Sequence, residues 1–312
     1  MRNKGGFFRN CPHMNPKSTY NRDFSQVWVS ECCKSKARPI SVNLPVTNRC
    51  NYDCRFCFAV LRDKKTWVDD SRIMEIPNIL RDMGTEKITL EGGEPFLYEK
   101  LEDLLKKFKE TGMTTSVISN GSLITEKKLE RLSEYIDWLT LSIDSTKESV
   151  EKELGRGQGN HVEQVITIAR KVKDLDIKLK LNTVVTKLNL KDDLTDLFLK
   201  LGPERVKMFQ VLPIKDVNDS EVRDLEISEI EFRDFVNKHS KIEGSDIKLI
   251  GETNKDMICS YLMLLPNGRF FNNKGGEHNV SEHTIFDDPE KALIESQWDE
   301  EKFSKRGGNY EW

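Results

Sequence analysis

The sequence predicts an α/β fold, an open partial (β/α)6 barrel of the TIM type followed by a C-terminal extension. Three observations carry that reading. Short β-rich runs alternate with longer helical patterns from Ile40 onward, glycine-bearing or small polar strings follow three of those runs, and three cysteines crowd the turn after the first. Such alternation is the mark of repeated βα units around a parallel sheet.

The first β-rich run is Ser41–Pro45, and the others are Lys87–Leu90, Thr115–Ser119, Trp138–Ser142, Leu179–Val185 and Val206–Val211. Between them the spacing predicts helices over Asp70–Met83, Leu101–Glu110, Lys127–Tyr135, His161–Lys173 and Lys191–Leu201. Beyond about Ser220 the alternation fades into a polar helix near Ile227–Lys238, an apolar run Ile258–Leu265 and a charged tail. The expected division is a leader over residues 1–39, a barrel core over 40–220, and an extension over 221–312 packed against the barrel.

With 49 basic against 52 acidic side chains in 312 residues, the net charge is −3, which argues against a nucleic-acid partner. No apolar run approaches the roughly 18 residues of a spanning helix. The first ten residues also lack a secretory apolar stretch, so no membrane is expected and the expected compartment is the cytoplasm. Seven cysteines, at positions 11, 32, 33, 50, 54, 57 and 259, suit metal ligation in a reducing compartment better than disulfides. Cys11, His13, Cys32 and Cys33 of the leader are read as incidental rather than as a second metal site.

In a barrel of this kind the reacting groups gather at the C-terminal ends of the strands and in the loops that follow. Glu91-Gly92-Gly93-Glu94-Pro95, Ser119-Asn120-Gly121 and Ser142-Ile143-Asp144-Ser145 stand there. Each alone is also plain turn chemistry; three in register point to a ligand site. Cys50, Cys54 and Cys57 stand there too, in CxxxCxxC spacing. Structural zinc usually takes four ligands, commonly as two separated pairs. Three thiolates on one short loop suit instead an iron–sulfur cluster with one iron left open.

The period of two along a strand tests for an anionic ligand, since residues i and i+2 share a face. Lys180 shares one with Asn182, Arg205 with Lys207, and Lys87 with Thr89 and Glu91. Turned into a barrel, these four cations would each cost several kcal/mol unless an anion offset them. Turned outward, they would simply face solvent, and the pattern alone leaves both open.

The CxxxCxxC spacing, the aromatic Phe56 before the third cysteine and the Gly92-Gly93-Glu94-Pro95 string resemble the radical S-adenosylmethionine (SAM) superfamily. Within it, Cys50–Phe58, Ser119–Ile124, the Gly155–Gly159 string GRGQG, Asn160–Glu163 and the Lys305–Gly308 string KRGG are similar to the viperin-like enzymes. The similarity runs from about Ser41 to Trp312. The resemblance implies a [4Fe–4S] cluster on Cys50, Cys54 and Cys57, and SAM held by Phe56, Gly92, Gly93, Glu94, Ser119, Asn120, Ser142 and Arg156. It further implies that a 5′-deoxyadenosyl radical takes the ribose 4′ hydrogen of a nucleoside triphosphate. The 3′-hydroxyl leaves as water, and one electron and one proton complete the reaction.

On the same resemblance, Asn43, Lys87, Lys180, Asn182, Arg205, Lys207 and Arg306 hold the nucleotide, and Asn254 lies near its base. Tyr261 matches the tyrosine proposed to quench the substrate radical, although it sits in an apolar run where a packed aromatic is also expected. The expected product is a 3′-deoxy-3′,4′-didehydro nucleotide, a chain terminator in antiviral or antiphage defence. CTP is the first expected substrate, with UTP or GTP as alternatives, because Glu91 stands where animal members have serine. An electron donor such as flavodoxin or ferredoxin is implied. The membrane-binding helix and the last C-terminal segment of animal members find no match here, so neither membrane association nor their iron–sulfur assembly partners are carried over.

Two other functions fit the thiol loop. One is a radical SAM enzyme acting on a different small molecule or a peptide; auxiliary clusters of that kind need more cysteines than the single Cys259 found beyond Cys57. The other is a non-catalytic iron–sulfur redox sensor, which would release no 5′-deoxyadenosine.

Overall fold

Alternate Val, Leu and Ile positions turn one face of each early strand toward a layer of helices, while the intervening polar positions face the other way. The computed structural model describes residues 38–59 and 69–312, so the cysteines of the leader lie outside the described residues. Its strands are β1 (Ser41–Thr47), β2 (Lys87–Gly92), β3 (Thr114–Ser119), β4 (Trp138–Ser142), β5 (Lys178–Val185), β6 (Arg205–Gln210), β7 (Lys248–Glu252), β8 (Met263–Leu264), β9 (Arg269–Asn272) and β10 (Asn279–Thr284). They form one open sheet in the order β10-β9-β8-β1-β2-β3-β4-β5-β6-β7. Neighbours from β1 to β7 are parallel, as is β8 on β1, whereas β9 and β10 run antiparallel.

Val42, Leu44 and Val46 of β1 and Ile88 and Leu90 of β2 have no exposed surface and join one apolar cluster with the helices. The second helix, Leu101–Glu110, shows why those helices form. Leu101, Leu104, Leu105 and Phe108 make a buried stripe at helical spacing. Its first turn carries Glu102 and Asp103 and its last Lys107 and Lys109, matching the helix dipole. Each such apolar side chain contributes about 1.5–3 kcal/mol by burial.

Three expectations shift. The helix expected over Asp70–Met83 is a short 3-10 turn, Ile73–Glu75, followed by Ile76–Asp82, where Pro77 suits the first turn. The helix expected from Lys191 starts only at Thr195, and the Asp192 side chain before it is held by Ser145 and Lys147. The alternation also does not end near Ser220: β7 adds a seventh parallel strand beside β6. Lys248–Glu252 is short and its ends are polar, so its sequence carries little strand signal.

Candidate active site

The polar face of the sheet encloses a cavity of about 560 Å³. Ser41, Asn43 and Pro45 of β1 and Lys87, Thr89 and Glu91 of β2 line it, the i, i+2 sets that alternate with the buried apolar positions. Lys180, Asn182 and Val184 of β5 and Lys207 and Phe209 of β6 do the same across the sheet. The sheet register places Lys180 beside Arg205, and Asn182 beside both Ser142 and Lys207. Cations near the N-terminal ends of the strands thus lie at one end of the cavity, and the loops after the C-terminal ends lie at the other.

At the loop end, the cysteine segment is seated on two glycine strings. The Asp53 and Arg55 N–H groups donate to the carbonyls of Gly155 and Leu154, at 3.2 and 3.0 Å. Gly155 has φ +80°, and a Cβ there would stand 2.1 Å from the Asp53 carbonyl oxygen. Gly93 donates its N–H to Thr47 O at 2.7 Å, and a Cβ on it would stand 2.2 Å from Arg49 O. Only glycine fits either contact.

Cys50, Cys54, Phe56 and Cys57 line the cavity with Gly92, Gly93, Ser119, Asn120, Ser142 and Arg156. Burial pushes the Cys54 thiol up to about 12 and raises Cys50 as well, so a thiolate at these positions calls for a bound metal. Arg156 Nε donates to Asp144 Oδ2 at 2.6 Å, and its guanidinium lies 5.3 Å from the Phe56 ring. Burial, reinforced by Asp144, pushes the nearby Glu151 carboxyl up to about 8.

At the basic end, burial and the neighbouring Lys180, Lys207 and Arg205 depress Lys87 to about 5. Its ammonium donates to the Tyr310 hydroxyl and lies 5.3 and 5.1 Å from the Trp138 and Trp312 rings. Burial and Arg205 lower Lys180 to about 8. Lys207 pairs with Glu252, as does Arg306 Nη1 at 3.3 Å. Burial alone would push the Glu252 carboxyl up, but Lys207 and Arg306 hold it below the usual range. Tyr261 donates to Glu252 Oε2 at 2.6 Å, and the Arg306 guanidinium lies 3.6 Å from its ring. The cavity is therefore expensive to charge when empty and suited to a polyanion.

Seventeen of the residues singled out from the sequence line this one cavity, Asn43, Asn182, Tyr261 and Arg306 among them. Three do not. Glu94 is fully buried behind the wall, where its carboxylate accepts from Ser119 Oγ and from the Asn120 and Phe96 N–H groups; it shapes the loop rather than facing a ligand. Arg205 lies 3.7 Å from the Tyr310 ring, donates to Gly307 O, and lines a separate hollow of about 460 Å³ with Lys248 and Lys305. Asn254 starts a short helix whose cap is Thr253; its backbone N–H donates to Gln210 Oε1 at 3.0 Å, and its buried Oδ1 has no partner among the described residues.

The model of the Radical SAM superfamily matches residues 44–200. A protein of Flammeovirga pacifica named S-adenosylmethionine-dependent nucleotide dehydratase is 40% identical over 87% of this chain and 96% of its own length. This chain belongs to the nucleotide dehydratases of the radical SAM superfamily. A dehydratase of the same name from a Thermoplasmatales archaeon is 35% identical, covering 87% of this chain and 96% of the relative. One from the fish Siniperca chuatsi is also 35% identical, covering 88% and 79%. Among solved structures, Streptococcus suis SuiB bound to S-adenosylmethionine superposes with a TM-score of 0.65 at 17% identity, over 86% of this chain and 68% of SuiB, a likeness of fold.

The residues of this dehydratase fit the superfamily's [4Fe–4S] cluster and SAM. Among the described residues no three His, Cys, Asp or Glu side chains converge as ligands of a single ion do. A cluster does not ask for that, since each thiolate binds its own iron. The dehydratase also contains groups that sequence reasoning missed. Glu252 ends a strand that carried little pattern, and Tyr310 and Trp312 follow KRGG with no periodic signal. Asp144 stands inside a string read for its serines.

Proposed function

We propose that the chain removes water from a nucleoside triphosphate, CTP first, with UTP or GTP as the other candidates, to give the 3′-deoxy-3′,4′-didehydro nucleotide. The observation that carries this is the continuity of one cavity, with three cysteines and a double glycine at one end and buried cations at the other. When bound, the cluster and SAM supply a 5′-deoxyadenosyl radical that can take a hydrogen atom from carbon. Cys50, Cys54 and Cys57 would hold the cluster, and Phe56, Gly92, Gly93, Ser119, Asn120, Ser142 and Arg156 would hold SAM, with Glu94 setting the loop between them.

Lys87, Lys180, Lys207 and Arg306 would take the phosphates, Lys as point charges and Arg through its planar fork. Arg205 would support that end through Gly307 and Tyr310. Asn43 and Asn182 would hold the sugar or base, and Asn254, whose buried Oδ1 has no partner among the described residues, would lie near the base. The Tyr261 hydroxyl, kept protonated by burial, would supply the proton with which the 3′-hydroxyl leaves as water. Because no 3′-hydroxyl remains, a polymerase that incorporated the product could not extend it, which supports a defence role.

A one-electron donor of the flavodoxin or ferredoxin kind and a reducing cytoplasm would complete the setting; among the described residues no helix is long and apolar enough to cross a membrane. The test is anaerobic incubation of reconstituted, reduced protein with SAM and each triphosphate in turn, read by mass spectrometry. A nucleotide lighter by one water is expected for at least one base. SAM cleavage without such a product would overturn the substrate.

A further inference from the structure

Glu91 is a carboxyl in the cavity wall that the reading above leaves unused. It stands on β2 directly before Gly92 and Gly93, two residues beyond Thr89 and four beyond Lys87 on the same strand face. At about 3.3 Å per residue, that places it roughly 13 Å along the strand from Lys87. A nucleotide that set its phosphates on Lys87, Lys180 and Lys207 and extended toward the glycine loop would pass Glu91 with its ribose or base.

Across the strand pair, Asn43 Nδ2 donates to Glu91 Oε2 at 2.8 Å, the single side-chain hydrogen bond of either residue among the described residues. That bond uses one of the two N–H donors of Asn43 and one oxygen of Glu91. Asn43 Oδ1 and Glu91 Oε1 are left as neighbouring acceptors on the cavity wall. Two adjacent acceptors complement two adjacent donors, and the cis 2′,3′-diol of a ribose supplies such a pair. A carboxylate on a ribose hydroxyl is a recurrent contact in nucleotide sites.

We propose that Glu91 and Asn43 together read the ribose, as paired hydrogen-bond acceptors for the 2′- and 3′-hydroxyls of the substrate. The proposal rests on the triphosphate reading above. Burial pushes the Glu91 carboxyl up to about 7 against the pull of Asn43 and Lys180, so the group is costly where it stands and gains from a ligand that satisfies it.

The experiment is equilibrium binding by titration calorimetry of CTP, UTP and GTP, each as the ribonucleotide and in its 2′-deoxy and 3′-deoxy forms. Wild-type, Glu91→Ala and Asn43→Ala proteins are compared. Wild type should bind ribonucleotides about tenfold more tightly than either deoxy form, the worth of one hydrogen bond to a charged group. Both variants should bring that ratio close to one for every base without reordering the bases. An unchanged ratio in two folded variants would overturn the proposal, as would a reordering of the bases with the ribose ratio intact, which would assign Glu91 to the nucleobase. Triphosphates bound by wild type without preference for ribose would overturn this inference alone, whereas no triphosphate binding would overturn the substrate reading with it.

Discussion

The Tyr261 hydroxyl donates to Glu252 Oε2 at 2.6 Å, so the phenol on the cavity wall is tied to a carboxylate that also neutralises Lys207 and Arg306. Substrate phosphates drawing Lys207 and Arg306 toward themselves would loosen the same carboxylate that orients the phenol. Tyr261→Phe should lower dehydrated product by about a hundredfold, the share of a positioned proton donor, while 5′-deoxyadenosine release persists. The ratio of the two products, measured by liquid chromatography, checks this. Coupled, undiminished turnover would remove Tyr261 from the chemistry.

Triphosphate binding should take up protons. Lys87 near 5 and Lys180 near 8 have folded-state values below their ordinary one, so at neutral pH the empty cavity carries less charge than free lysines would. A polyanion raises both values, and affinity therefore strengthens as pH falls from about 9 toward neutrality. Calorimetry in two buffers of different ionisation heat reads the uptake directly. Lys87→Met should reduce it by about one proton, and equal apparent heats in both buffers would contradict the assignment.

Gly155→Ala should cost at least about 1–3 kcal/mol from its left-handed backbone alone, and more because its Cβ meets the cysteine loop. Gly112 has a similar φ of +82° but open space around it, so Gly112→Ala isolates the backbone cost. Iron bound per chain should fall in the first variant and hold in the second. Equal iron contents would mean that GRGQG does not brace the cysteine segment.

Cys54→Ala, reconstituted without oxygen, should lose both the cluster's visible absorbance and SAM cleavage. Retention of full cleavage would sink the three-thiolate assignment.

The parts of this molecule that the sequence discloses are those with repeated physical causes. Buried parallel strands with one polar face, such as Ser41–Thr47 and Lys178–Val185, carry both a β-rich run and a period of two, and Asn43 of the first and Lys180 of the second line the cavity. Thiol spacing fixed the cysteine loop in the same way. What stayed hidden depends on contacts distant in sequence. Glu252 matters only because β7 lies beside β6 and brings it to Lys207, and Tyr310 only because the tail returns to Lys87. Arg205 shares its strand face with Lys207, yet Gly307 and Tyr310 take it out of the cavity wall. Asn254 was placed by resemblance, with no periodic signal of its own, and it is not among the residues that line the cavity.

The decisive measurement incubates the reduced, cluster-loaded protein with SAM and CTP, UTP or GTP carrying deuterium at C4′. Transfer of the deuterium into 5′-deoxyadenosine, together with a nucleotide lighter by the elements of water, is the predicted result for the preferred base. 5′-Deoxyadenosine free of deuterium with all three, and no lighter nucleotide, would contradict the account.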